Sequence, residues 1–128
     1  MDNYHQAILD TVILFEKLYE GMDEALGKEF LYRKEHYLPN DNHVKNKCYL
    51  CDYSYNISGH LQTEMCQFCP CMKHLGDKCS LLNEGIGSDL LNSSTIKWGL
   101  RNAYKIASRA KVDCDFKYWI KVRRSRSK

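Results

Sequence analysis

The sequence predicts a mainly α-helical fold, a small helical domain with an embedded four-cysteine knuckle. Three observations predict it. Apolar residues recur at helical spacing in the first forty residues and again over 94–111. Six of the seven cysteines fall between positions 48 and 79, mostly in CxxC pairs. Two prolines and seven glycines are too few for long linkers, so the 128 residues read as one domain. Its parts are N-terminal helices over 1–38, the knuckle over 48–79, a basic amphipathic helix over 94–111 and an aromatic and basic tail over 115–128. The chain is 44% hydrophobic and 12% aromatic, which supplies a small core and excludes disorder.

In the first part Ile8, Val12, Phe15, Tyr19, Met22 and Leu26 alternate steps of four and three, laying one apolar stripe along a helix. Asp2 or Asn3 can cap its start, and Gly21 kinks or divides it. A second helical stretch over 28–37 carries Phe30, Tyr32 and Tyr37, and Pro39 ends the region. The stripe is short for a coiled coil and is expected to pack on the rest of the domain.

The middle reads Cys48-Tyr-Leu-Cys51, fourteen residues, then Cys66-Gln-Phe-Cys69-Pro70-Cys71, with Cys79 following. Two CxxC pairs across a medium loop have a zinc-site spacing: each pair sets two thiolates on a tight turn, and the loop lets them complete a tetrahedron. Cys48, Cys51, Cys66 and Cys69 are the first choice of ligands. Cys71 or Cys79 can replace Cys66 or Cys69, and His60 and His74 are within reach as nitrogen donors. A site closed by four thiolates leaves no open position, so a structural Zn2+ is expected. The loop between the pairs, with Tyr53, Tyr55 and Gly59, fits either a hairpin or an irregular turn. An odd cysteine count and the absence of a signal-like N-terminus favour thiolate ligation over disulfides and predict a cytoplasmic protein. Without secretion the triplets at Asn56 and Asn92 have no role as glycosylation sites.

A connector over 83–92 precedes the second helix, which Ser93 or Ser94 can cap. On a 3.6-residue helix Ile96, Leu100, Ala103, Ile106, Ala107 and Ala110 share one side, and Lys97, Arg101, Lys105 and Arg109 wind along the other with Trp98 among them. The alanines allow close approach to a neighbouring helix, expected to be the N-terminal one. Cys114 reads as a buried apolar residue. In the tail, Phe116, Tyr118, Trp119, Ile120 and Val122 are expected to dock as a strand or short helix, and 123–128 to fray.

Net charge is only +3, yet it is segregated. Residues 1–40 carry eight acids against four bases, whereas from Ser94 onward eleven Lys and Arg face only Asp113 and Asp115. A basic end of this kind suits an anionic partner. Lysines and arginines neutralise phosphates and an exposed indole stacks on bases, so Lys97, Trp98, Arg101, Lys105 and Arg109, helped by Arg123, Arg124 and Arg126, are the expected nucleic-acid contacts. A solvated amphipathic face or a surface for an acidic protein are the competing readings. Enzymatic signatures are missing: there is no His-x-Glu with Pro-Cys-x-x-Cys, no His-Glu-x-x-His, no phosphate-binding Gly-rich loop and no Gly-x-Ser-x-Gly. No run of residues has the apolar length of a membrane span.

The Cys48-Tyr-Leu-Cys51, Cys66-Gln-Phe-Cys69-Pro70 and Gly76-Asp-Lys-Cys79 motifs together resemble small zinc-knuckle proteins encoded in bacteriophage genomes, which carry a CxxC pair, a CxxCP and a Gly-x-x-Cys. The likeness covers 48–79 alone. It implies Cys48, Cys51, Cys66 and Cys69 as ligands and raises Cys79, while Cys71 has no place in that pattern. It also implies a non-enzymatic protein of the host cytoplasm that binds a host macromolecule. The expected function is thus a zinc-stabilised binding protein that contacts nucleic acid through a basic helix. The alternative is a small phage-type inhibitor or adaptor docked on a host or partner protein.

Overall fold

The computed structural model describes residues 2–28, 50, 53–54, 57, 73–74 and 90–126, the side chains of 124–126 excepted. Four helices lie wholly within the described residues, α1 (Asn3–Glu20), α2 (Met22–Ala25), α3 (Ser93–Arg109) and α4 (Trp119–Arg126), and Leu50, Tyr53, Ser54, Ile57, Lys73 and His74 are helical as well. Among these residues there is no strand, and no helix is long and apolar enough to cross a membrane. The mainly helical expectation therefore holds for this part of the chain. The six clustered cysteines, His60, the expected helix over 28–37 beyond Lys28, the connector before Leu90 and the loop between the CxxC pairs, apart from Tyr53, Ser54 and Ile57, lie outside the described residues.

Asp2 caps α1 with a carboxylate that accepts the His5 backbone N–H at 2.8 Å. That bond, and a second from the His5 ring, hold the Asp2 carboxyl below its ordinary pKa. Gly21 divides the N-terminal helix, as its position suggests: its N–H closes α1 on the Lys17 carbonyl, and α2 adds one turn. This break puts Leu26, the last member of the expected stripe, outside the helix. Leu26 is 40% exposed, and Ala25 is buried in its stead. The buried side of α1 is also broader than a single stripe, since Leu14 and Leu18 lie in the core beside Ile8, Val12 and Phe15.

Gly27, in the left-handed region at φ +81°, turns the chain back. Its N–H donates to the Leu91 carbonyl at 2.9 Å, and the Leu91 N–H donates to Lys28 at 2.7 Å. This pair joins the end of the N-terminal half to the start of α3. The α3 cap is Asn92, one residue before the expected serines. The Asn92 side chain accepts the Thr95 N–H at 2.9 Å, and the Thr95 hydroxyl accepts the Asn92 N–H at 3.0 Å. Such a reciprocal box satisfies two end groups at once. At the far end Val112 donates to Ala107 and Lys111 to Ser108, with Lys111 at φ 58°. This is the two-bond C-terminal closure that glycine usually makes.

α1 and α3 pack antiparallel. Phe15 meets the middle of α3 at Gly99, where a Cβ would stand 2.2 Å from the ring. Tyr4 and Arg109 reach a common neighbour, His74, at one end, and Gly27 meets Leu91 at the other. Ile96, Leu100, Ala103, Ile106 and Ala107 face α1 as expected, and Ala110 is half-buried. Tyr104, not assigned to the core by periodicity, is also fully buried. Its hydroxyl donates to Glu16 at 2.6 Å and accepts the Tyr118 N–H at 3.2 Å, so it fastens α1 and the approach to α4 to α3. Phe116 and Trp119 pack around its ring at 5.3 and 5.9 Å. The tail docks as the short helix expected, with Val122 anchored in the core, but Ile120 is exposed and 123–126 continue α4 rather than fraying. Cys114 is only half-buried, a free thiol whose pKa burial raises.

Glu16 and Glu20 give opposite pH dependences. Burial holds the Glu16 carboxyl above its ordinary value even though Tyr104 donates to it. Ionising Glu16 therefore opposes folding: its contribution is intact below about pH 4 and is lost as pH rises through the raised value. Glu20 accepts from Lys117 at 2.7 Å and from the Tyr118 hydroxyl at 2.7 Å, which lowers its pKa. Its contribution is present above the ordinary value and lost on acidification. In urea unfolding from pH 4 to 7, Glu16→Gln is expected to gain stability relative to wild type as pH rises. A difference independent of pH would mean that Glu16 is not desolvated.

Candidate nucleic-acid interface

α3 is embedded. Thr95, Ile96, Gly99, Leu100, Asn102, Ala103, Tyr104, Ile106 and Ala107 are all buried, which covers about two thirds of its circumference at 3.6 residues per turn. What remains is one less buried stripe, about 120° wide, in which Ser94, Ser108 and Arg109 are exposed and Lys97, Trp98, Arg101 and Lys105 are half-buried. The five residues the sequence singles out on this helix are thus brought to a single face. The steps between Lys97, Arg101, Lys105 and Arg109 advance about 6 Å each along the axis.

Within the stripe both arginines are paired, one with an aromatic ring and one with a backbone carbonyl. The Arg101 guanidinium lies 5.6 Å from the centroid of the half-buried Trp98 ring. Arg109, in the last turn where a cation complements the helix dipole, donates through Nη1 to the His74 carbonyl. Arg123 stands 5.9 Å over Trp119 on α4, repeating the Arg–Trp pairing of α3. Arg124 and Arg126 are carried on the backbone of α4.

Cationic partners outside the expected set also appear. Lys117 and Lys121 lie 5.3 and 6.0 Å from the Tyr118 ring, and Lys73 lies 5.3 Å from Tyr4. Lys117 is at the same time held by Glu20. The alternation Lys117-Tyr118-Trp119-Ile120-Lys121 carries that signal in the sequence, where the later arginine cluster is the more conspicuous feature.

The cysteine-bearing segment touches this bundle at its described points. Leu50, flanked in sequence by the cysteines of the first CxxC pair, is 1% exposed and belongs to the core. Ser54 is buried, and Tyr53 packs on Tyr4 with centroids 5.6 Å apart. His74 is clasped between α1 and α3: its ring Nε2 hydrogen-bonds the Tyr4 hydroxyl, and its carbonyl takes Arg109. Burial, then Lys73 and Arg109, hold the imidazole pKa below its usual value, so the ring is neutral at pH 7. Among the described residues no group of three His, Cys, Asp or Glu could hold a metal ion.

No family model matches the chain, and neither a curated protein nor a solved structure shows significant similarity to it.

Proposed function

We propose that this chain is a zinc-stabilised, non-catalytic binding protein that contacts nucleic acid through the basic stripe of α3. The observation that carries the reading is the stripe itself: four cations and one tryptophan gathered on the least buried side of α3, which carries no acidic residue. Cations so placed neutralise phosphates, and an indole among them offers a stacking surface. Arg123 on Trp119 extends the same chemistry to α4.

Cys48, Cys51, Cys66 and Cys69 would hold the zinc, with Cys71 and Cys79 as alternates. Four thiolates are a soft, anionic donor set that suits a closed structural site. Bound there, the ion would supply folding free energy. Leu50 in the core and His74 between α1 and α3 support a role for this segment in holding the bundle.

Binding through about four phosphates is expected to weaken roughly 50- to 150-fold between 50 and 200 mM salt, from a log–log slope of about −2.8 to −3.6. The Arg101→Glu, Lys105→Glu double variant, with its helicity checked by circular dichroism, is expected to lose that binding. A flat salt response, together with an acidic protein recovered by pull-down, would favour the inhibitor or adaptor reading.

A further inference from the structure

We infer that the outer face of α4, centred on Ile120 and Arg123, docks on an anionic phospholipid membrane, with Ile120 entering the boundary between headgroups and acyl chains. This surface is separate from the nucleic-acid reading, which rests on α3.

The first observation is Ile120. It is 65% exposed, more than any other large hydrophobic among the described residues. Two positions on, Val122 is 1% exposed and anchored in the core. Helical residues two apart point about 160° away from each other, so the seat of Val122 holds Ile120 outward. The start of the helix is fixed as well: Trp119 meets the Tyr104 ring edge-on at 5.9 Å, and the Tyr118 N–H donates to the Tyr104 hydroxyl at 3.2 Å. An isolated surface aliphatic is ordinary. What distinguishes this one is its setting.

The second observation is that setting. Residues 117–128 hold six Lys and Arg and no Asp or Glu. Lys117 is taken by Glu20. Arg123 is exposed, and its contact is with the Trp119 ring at 5.9 Å, which carries no charge to cancel its own. Positions 123 and 124 follow Ile120 by three and four residues, which puts two arginines on the side of the helix that Ile120 occupies. An aliphatic side chain ringed by cations matches a surface that is anionic outside and apolar just beneath.

The same face suits other partners less well. Phosphates of a nucleic acid would use the arginines, but an aliphatic side chain has no π-face to stack on a base. A groove in a partner protein takes apolar anchors at i, i+3 or i+4 and i+7, and after Ile120 those positions are Arg123, Arg124 and Ser127. A single apolar residue beside several cations is instead the two-signal arrangement that peripheral membrane attachment needs.

The test is co-sedimentation of the purified full chain with vesicles of phosphatidylcholine alone or with 30% phosphatidylserine, in 100 mM salt. The anionic vesicles are expected to bind at least about 10-fold tighter. Arg123→Glu, which removes a cation and adds an anion, is expected to lose about 5- to 25-fold. Ile120→Ala is expected to lose about 5- to 50-fold, the range for partial to full burial of three carbons, and Ile120→Leu to keep most of the affinity. Both side chains are exposed, and thermal melts of the variants separate binding from folding. Equal affinity for the two vesicles, or binding to neither, would overturn the membrane inference and leave the α3 reading untouched. Anionic binding indifferent to Ile120→Ala would overturn it too, since adsorption by charge alone does not use this face. Ile120→Ala that weakens binding of dT20 but not of the vesicles would assign the face to nucleic acid and equally overturn it.

Discussion

Gly99→Ala is expected to destabilise the domain by about 1–3 kcal/mol, although alanine is the better helix former. Inside a helix, the propensity difference alone favours alanine by about 1 kcal/mol. At this position the added Cβ would stand 2.2, 2.7 and 2.8 Å from Cε1, Cζ and Cδ1 of Phe15. Phe15 is 1% exposed and walled in by the core, so the ring cannot swing away into solvent. Either the ring or the α1–α3 spacing must give, and overpacking of a close-packed interior exceeds the propensity gain. The pair is coupled: Phe15→Leu removes Cε1 and Cζ, so Gly99→Ala is expected to cost less in that background, a non-additivity readable from urea unfolding of the four proteins. A single Gly99→Ala variant as stable as wild type would show that Phe15 is not seated on the α3 backbone.

Removing the proposed zinc is expected to have the larger thermal effect, a fall in Tm of roughly 10–25 °C. A ligand at about 1,000 times its Kd contributes about 4 kcal/mol, which in a domain of this size corresponds to a shift of that order. The physical link is Leu50. It stands between Cys48 and Cys51 in the sequence and is buried in the α1–α3 core, so whatever orders that pair also seats a core side chain. Leu50→Ala is accordingly expected to cost about 2–5 kcal/mol and to weaken metal retention in the same variant. Melting curves with chelator, then with zinc restored, and metal content measured on the same samples check both statements. An unchanged Tm after the metal has demonstrably left would separate the cysteines from the stability of the bundle.

The sequence showed α3 well because its pattern is strong and one-sided. Ile96, Leu100, Ala103, Ile106 and Ala107 lie where a 3.6-residue period puts them, against the N-terminal helix. It was less informative where several residues share a propensity or where the deciding partner is distant. Asn92, Ser93 and Ser94 are all good caps, and only the reciprocal bond with Thr95 selects Asn92. Tyr104 sits at the margin of the apolar face, and its burial depends on Glu16 and Tyr118, far away in sequence. Gly99 has no local signature, because what demands it is the ring of Phe15. The candidate binding face was legible as a set of residues. Its confinement to one narrow stripe was not, since coverage by neighbours on both flanks is a tertiary property. The CxxC spacing of the cysteines was equally plain, whereas the seat of Leu50 in the core and the clasp around His74 were not.

The hydrogen-bonded pair joining Gly27 and Lys28 to Leu91 also bears on how the chain finds its fold. The two antiparallel helices that share the core are separated by about seventy residues, so bringing them together carries a loop-closure entropy of about 3–4 kcal/mol before any α1–α3 contact forms. Most helical bundles assemble rapidly through contacts local in sequence, whereas here the defining contact is among the most distant in the chain. Folding is therefore expected to be slow for a helical protein, with α1–α3 docking a late event. By the same logarithmic law, an insertion between Lys28 and Leu91 that leaves Leu50 and His74 in place is expected to cost only about 0.6 kcal/mol even if it doubles the length closed.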